Sequence, residues 1–429
     1  MRDLNIEVHH LTRVEGHGNI VLDVRAGEIK ELRLDIVESP RFFEAMLLGR
    51  KWYEAQEITC RICGICSTGH SSASVQATEA AMGIEPSEQT TLLRRLAFDG
   101  EILESHVLHV LYLVLPDLLG VGSVIPLAES HPAEIQIALR LKRLANDICE
   151  VVGGRHIHAC NWCPGGFTDQ PKEEDLAGLR ERVLAAREDL DACVELFSGL
   201  QFPEFERETE YVCLHHPERY ALYDGTEIRS SNGDSTAKTD YLDKVREFVV
   251  PHSHAKHAQT EVGPYMVGAL ARVNVNYEQL RPEAKEAAAR LGLEVPCHHA
   301  FMINHAQLVE CVHAAEEAIE IIDELLERGI EEEIPEVEVK AGRGVGISDV
   351  PRGILFHDYT LDEEGIITHA NLIIPTNQNL NNVERDLHAM VPGILDRPED
   401  EIRLTMEMLV RAYDPCISCA THLLEVEFV

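Results

Sequence analysis

"TCRICGICSTGH", residues 59–70, and "DPCISCATH", residues 414–422, carry the same Cys-x-x-Cys spacing at opposite ends of a 429-residue chain. Four thiolates suffice for a tetrahedral site, because sulfur is a good donor to soft and borderline metals. A zinc ribbon normally sets its two pairs about 15–20 residues apart. Here Cys63 and Cys416 are 353 positions apart. A shared site therefore requires both ends of a finished fold to meet at its centre. Spacing alone leaves that reading level with two unrelated pairs.

Working outward, the chain is long enough for one large or two ordinary domains, and 45% hydrophobic content supplies a substantial core. Its 74 acidic residues against 38 Lys and Arg give a formal charge of −36. That balance repels phosphate and argues against a nucleic-acid partner. The first residues, "MRDLNIEVHHLTRVEGHG", lack the apolar core of a secretory signal. The greasiest stretch, "VLHVLYLVLPDLLGVGSVIPLA" (107–128), is broken by His109, Pro116 and Asp117. It reads as a buried helix rather than a membrane span. The twelve cysteines then read as reduced thiols in a cytoplasmic protein, which favours metal binding over disulfides.

Periodicity gives a mainly α, α+β expectation: one helix-rich body, 1–429, with a central helical bundle and peripheral β-hairpins. "NIVLDVRAGEIKELRLDIVE" (19–38) alternates around an Ala-Gly turn, and "GILFHDYTLDEEGIITHANLIIP" (353–375) around Glu-Gly; both read as hairpins. Pro40 opens a short helix through "RFFEAMLLGR". Helical spacing runs from His70 to about Leu115, with a break at Gly83 and Pro86. It returns over about 131–150, 171–200, 305–328 and 399–412. "GRGVGI" (342–347) has the glycines of a dinucleotide loop but no βαβ context, and reads as a loop.

The residues around the cysteines decide between the readings. "RVEGHGNI" (13–20), "RICGICSTGH" (61–70) and "DPCISCATH" (414–422) together resemble the large, catalytic subunit of nickel–iron hydrogenases. "SPRFFEAMLLGR" (39–50), "HSHAKHAQTEVGPYMVGALARVN" (252–274) and "DVPRGILFH" (349–357) extend the resemblance along the whole chain. The wording is most similar to alpha subunits of cytosolic, sulfhydrogenase-type, NAD(P)-linked enzymes. Methanogen types serving a deazaflavin or a disulfide-reductase partner are near neighbours.

The resemblance implies heterolytic cleavage or formation of H2, with electrons leaving to an iron–sulfur small subunit, then to NAD(P). It makes Cys63 and Cys416 terminal nickel ligands, while Cys66 and Cys419 bridge to an iron carrying CO and CN. Cys416 accepts the proton and Glu15 passes it outward. Arg352 overhangs the metals, held by Asp117 and Asp414, with Pro351 shaping the overhang and Thr376 donating to a cyanide. His70, one turn beyond Cys66, is expected to donate to its sulfur. Glu44, the Leu372 carbonyl and His422 match ligands of a separate magnesium (or iron) site. "HSHAKH" (252–257) has the look of a metal box but matches a packing stretch and is assigned no metal. "CNWC" (160–163) reads as packing or an incidental pair. The tail "LLEVEFV" (423–429) matches a peptide that a maturation endopeptidase removes. No further cluster-binding cysteine set is present, so the implied partners are diaphorase subunits binding flavin and NAD(P), together with the small subunit. Two other readings predict different metals: a complex-I-like quinone-site subunit holds none, and a zinc-stabilised scaffold holds zinc alone.

Overall fold

A computed structural model of the protein describes residues 3–421. The chain opens with a three-stranded antiparallel sheet, Leu4–Val8, Gly18–Arg25 and Glu28–Ile36, in sequence order. The last two strands form the expected hairpin, turning at Ala26 and Gly27, both with positive φ (53° and 80°). That is the twist a tight hairpin needs. Ile6, Ile20, Leu22 and Leu34 project into the core from one face of this sheet. The helix after Pro40 starts only at Phe43 and ends at Leu47. Arg41 is occupied elsewhere: its backbone N–H donates to the Thr421 carbonyl at 2.6 Å.

Helix Ser67–Met82 ends on Gly83 in the left-handed region, and helix Glu88–Val107 begins where Ser87 Oγ accepts the Thr90 N–H at 3.0 Å. The second helix widens into a π-helical segment, Leu108–Val114, and closes with Leu115–Leu118. Such widenings shift the phase of a helix and concentrate at functional sites; this one delivers Asp117. No helix among the described residues is long and apolar enough to cross a membrane. Four long helices pack around one another. Glu88–Val107 lies against Pro132–Gly153 and Ile303–Arg328, and Glu173–Ser198 packs on both of those.

The main departure from expectation is "GRGVGI". Gly342–Val350 is a strand, paired with Gly353–Leu361, which pairs in turn with Ile367–Ile373. A Cβ on Gly342, Gly344 or Gly346 would lie 2.2, 2.1 or 1.9 Å from the carbonyl oxygens of Ala81, Ala77 and Ala73. The three glycines let the strand lie directly on the Ser67–Met82 helix; they cradle no phosphate. The helix Pro375–Met390 was not legible either. Its buried face carries Gln378, Asn379 and Asn382, whose amides bond Ile354 O (2.6 Å), the Val267 N–H (2.9 Å) and Tyr413 Oη (2.9 Å). Amides hide the apolar period that would have announced it.

Candidate metal centre

The two ends of the chain meet. Cys63 Sγ lies 3.4 Å from Cys416 Sγ, and Cys66 Sγ lies 3.6 Å from Cys419 Sγ. A disulfide needs about 2.05 Å, so these are four separate thiols. All four sulfurs fall within 4.8 Å of one another and are buried. Arg41 joins the two motifs, its Nη2 donating to the Ile62 carbonyl at 2.5 Å and its Nε to the Ser418 carbonyl at 3.1 Å. No motif in the sequence assigned Arg41 a role; its ties span 21 and 377 positions and are invisible along the chain.

Four buried sulfurs cannot all ionise without a cation among them. Hydrogen bonds from Cys416, Cys419 and Cys66 hold Cys63 well below the usual thiol range. Burial pushes Cys416 and Cys419 well above it.

Glu15 sits on the rim. Its Oε2 accepts from Cys416 Sγ at 3.1 Å and from the Ser418 N–H at 2.9 Å. Its carbonyl accepts the Ile417 N–H at 2.9 Å, so the 13–18 loop runs beside the C-terminal motif as a short parallel bridge. Thr376 Oγ1 accepts the Cys416 N–H at 3.0 Å, leaving its own proton free to donate.

Arg352 lies at the tip of the Gly342–Leu361 hairpin and is 5% exposed. Its Nη2 donates to Asp414 Oδ1 at 2.7 Å and its Nε to the Asp414 carbonyl at 2.6 Å. Nη1 is buried with no partner. Burial works to lower the guanidinium pKa, but Asp414 and the sulfurs outweigh it and hold it well above its ordinary value. Asp117 does not contact Arg352, contrary to expectation. Its carboxylate takes Arg411, through Nε at 2.7 Å, and Arg13. The link to Arg352 is indirect, through Gln307, which donates to Asp414 Oδ2 at 3.2 Å and meets His109 Nδ1 at 2.5 Å. His109 Nε2 in turn reaches the Arg411 carbonyl at 2.7 Å.

Arg272 is a second residue that motif reading passed over. It is fully buried and clamps the hairpin tip, donating to the Val350 carbonyl at 2.8 Å and the Pro351 carbonyl at 3.0 Å. Glu310 (2.6 and 2.7 Å) and Asp349 (2.5 Å) neutralise it. "GALARVN" showed this arginine beside apolar residues, a signal that a buried counter-charge exists somewhere.

His70 behaves differently from expectation. Its Nδ1 meets His357 Nε2 at 3.1 Å, and His357 Nδ1 continues to Tyr359 Oη at 2.7 Å. Only its backbone N–H bonds residue 66, at the Cys66 carbonyl, 3.1 Å away. Burial lowers its pKa to about 4, so the ring is neutral at pH 7. Glu44 Oε1 accepts the Leu372 N–H at 2.8 Å, and burial raises its carboxyl to about 7. His422 and the tail 423–429 lie outside the described residues. Cys163 is half-buried and Cys160 exposed, apart from the centre.

Comparison with known proteins agrees with this geometry. The family model for nickel-dependent hydrogenase matches residues 41–136 and 215–422. The alpha chain of sulfhydrogenase 1 from Pyrococcus furiosus is 36% identical over 425 residues, covering 99% of each chain. A chain of the vhu F420-non-reducing hydrogenase from Methanocaldococcus jannaschii is 33% identical over 412 residues, covering 89% of this chain and 97% of its own. The crystal structure of an NAD+-reducing [NiFe]-hydrogenase in the H2-reduced state superposes with a TM-score of 0.88 at 29% identity, covering 98% of this chain and 99% of that one. With its two distant cysteine pairs gathered into one buried cluster, the chain belongs to the nickel-dependent hydrogenase family.

Proposed function

We propose that this chain is the catalytic subunit of a nickel–iron hydrogenase that splits or forms H2 and exchanges the electrons, through an iron–sulfur partner, with NAD(P). The observation that carries the reading is the 3.1 Å contact between Cys416 Sγ and Glu15 Oε2 beside three further buried sulfurs. Soft thiolates fit nickel and iron, and the unpartnered Arg352 Nη1 fits an anionic ligand such as cyanide. In this reading Cys63, Cys66, Cys416 and Cys419 would hold the nickel and a CO- and CN-bearing iron, with Pro351 and Thr376 beside them. Bound there, the metal pair supplies the Lewis acidity that polarises H2 and the redox capacity that takes its electrons.

The chain's own residues handle the proton. Cys416 Sγ receives it, and Glu15 Oε2, already in contact with that sulfur, carries it away from the centre. Arg352 is a poor base: a guanidinium is already hard to deprotonate, and Asp414 and the sulfurs outweigh burial and raise its pKa further. It orients by charge, and Asp414, Gln307 and Arg272 fix its position. Glu44 and the Leu372 carbonyl, with His422 beyond the described residues, would hold a magnesium-type ion, and Arg41 ties down the neighbouring Thr421 carbonyl. Residues 423–429 are removed once nickel is inserted.

The NAD(P) route rests on the sulfhydrogenase alpha chains and the NAD+-reducing structure among its relatives. It implies diaphorase subunits and a cytoplasmic complex. Hydrogen-dependent reduction of NADP or NAD by the purified complex tests the route; reduction of a deazaflavin alone rejects it. Infrared bands of metal-bound CO and CN are expected in the same sample.

A further inference from the structure

Away from the cysteine cluster, the fold brings Glu384 to two histidines of the "HSHAKH" stretch, far earlier in the chain. His252 Nε2 lies 2.7 Å from Glu384 Oε1, and His257 Nδ1 lies 4.0 Å from Glu384 Oε2. The three ligand atoms fall within 4.8 Å of one another. The two imidazoles stand edge to face, 5.8 Å between centroids. By sequence "HSHAKH" matches a packing stretch and is assigned no metal; Glu384 arrives beside it on the Pro375–Met390 helix, which the sequence did not reveal.

The site is built rather than incidental. His257 is 2% exposed in its side chain, yet its Nε2 has no partner and its Nδ1 stands too far from Glu384 for a hydrogen bond. A buried imidazole nitrogen without a partner is unusual unless something else satisfies it. Glu384 is fixed by the Leu34 N–H, which donates to Oε1 at 3.0 Å. His252 is 24% exposed and Glu384 16%, so an ion can enter from solvent and keep water in its remaining positions. Ligands on one tetrahedral ion sit about 3.3 Å apart at metal–ligand distances near 2.0–2.1 Å, so the 2.7 Å His252–Glu384 contact opens and the 4.0 Å His257–Glu384 spacing closes, each by less than about 1 Å.

We infer that His252, His257 and Glu384 bind a divalent transition metal of the zinc type, separate from the hydrogenase centre. Imidazole and carboxylate suit such an ion, whereas the thiolates of the main centre do not take part. Its role is to staple three elements. His257 opens the strand His257–Gln259, Glu384 belongs to the Pro375–Met390 helix, and Leu34 to the Glu28–Ile36 strand. The same helix presents Thr376 to Cys416 at its first turn, and the adjoining Asn377 donates to the Lys256 carbonyl at 2.9 Å. The staple therefore braces the wall of the cysteine cluster from outside. The inference does not depend on the proposed electron carrier.

The test uses the purified full chain in its complex, treated with chelator, loaded with zinc and desalted. We expect one retained zinc per chain, and a zinc X-ray absorption spectrum showing two imidazoles and no sulfur. His252→Ala and Glu384→Gln are expected to lose that zinc and keep their nickel. His156→Ala, at the exposed Asp147–Glu150–His156 cluster, is expected to keep both. No retained zinc, sulfur neighbours, fewer than two imidazoles, or retention by both variants overturns the inference. If the variants fail to fold, the wild-type spectrum alone decides.

Discussion

Glu15 owes its place to a β-bridge that runs its backbone beside Cys416, so its carboxylate is positioned by main chain rather than by side-chain packing. Glu15→Gln keeps the side chain's size and shape, but an amide cannot carry the proton. Turnover is expected to fall about 10²–10⁴-fold with nickel content unchanged, as read by H2 uptake beside elemental analysis. Arg272 is fully buried between Glu310 and Asp349. Arg272→Met strands both carboxylates and is expected to cost about 3–5 kcal/mol in a denaturant titration. His305 is buried against Phe197 and Phe202, and that burial lowers its pKa to about 4. Its folded pKa lies below the unfolded value, so the unfolded state binds more protons as pH falls. Stability present above about 6.5 is thus lost toward pH 4, by on the order of 2–3 kcal/mol for this residue. His305→Met is expected to flatten that slope. At this scale the sequence named the cysteines, Glu15, Arg352 and Thr376, because each sits in a local motif. It missed Arg41 and Arg272 because their partners are remote, and paired Asp117 with the wrong arginine for the same reason.

Elements bring these residues together by unusually close backbone contact. The Gly342–Val350 strand ends at the Arg352 tip, and its glycines press it onto the helix that begins just after Cys66. Gly344→Ala would set a Cβ 2.1 Å from the Ala77 carbonyl, so strand or helix must move. We expect a loss of about 1–3 kcal/mol and reduced nickel retention, measured by thermal unfolding and elemental analysis. Gly178→Ala, within helix Glu173–Ser198 and with nothing within 4 Å, is the control and is expected to stabilise by about 0.5–1 kcal/mol. The hairpins and long helices were legible from their periods of two and of about 3.6 residues. The glycine strand and the amide-lined Pro375–Met390 helix were not, because neither advertises a buried face through apolar side chains.

For the molecule as a whole, segments from near both ends of the chain meet at the buried cysteine cluster. The N-terminal sheet, the 59–70 motif and the 414–421 motif converge, with Arg41 and Glu15 as the ties. The long-range pairing itself could not be read from spacing; only the joint motif pointed to it. If the tail is processed as proposed, the intact mass of the nickel-loaded chain corresponds to an end at His422, and a mass retaining Val429 refutes that step. The most direct test of the central claim is nickel X-ray absorption on the anaerobically purified complex, with nickel and iron quantified in the same sample. The expected result is one nickel and at least one iron per chain, with nickel surrounded by sulfur. A fully matured sample without nickel, or with nickel bound only by nitrogen and oxygen, contradicts it.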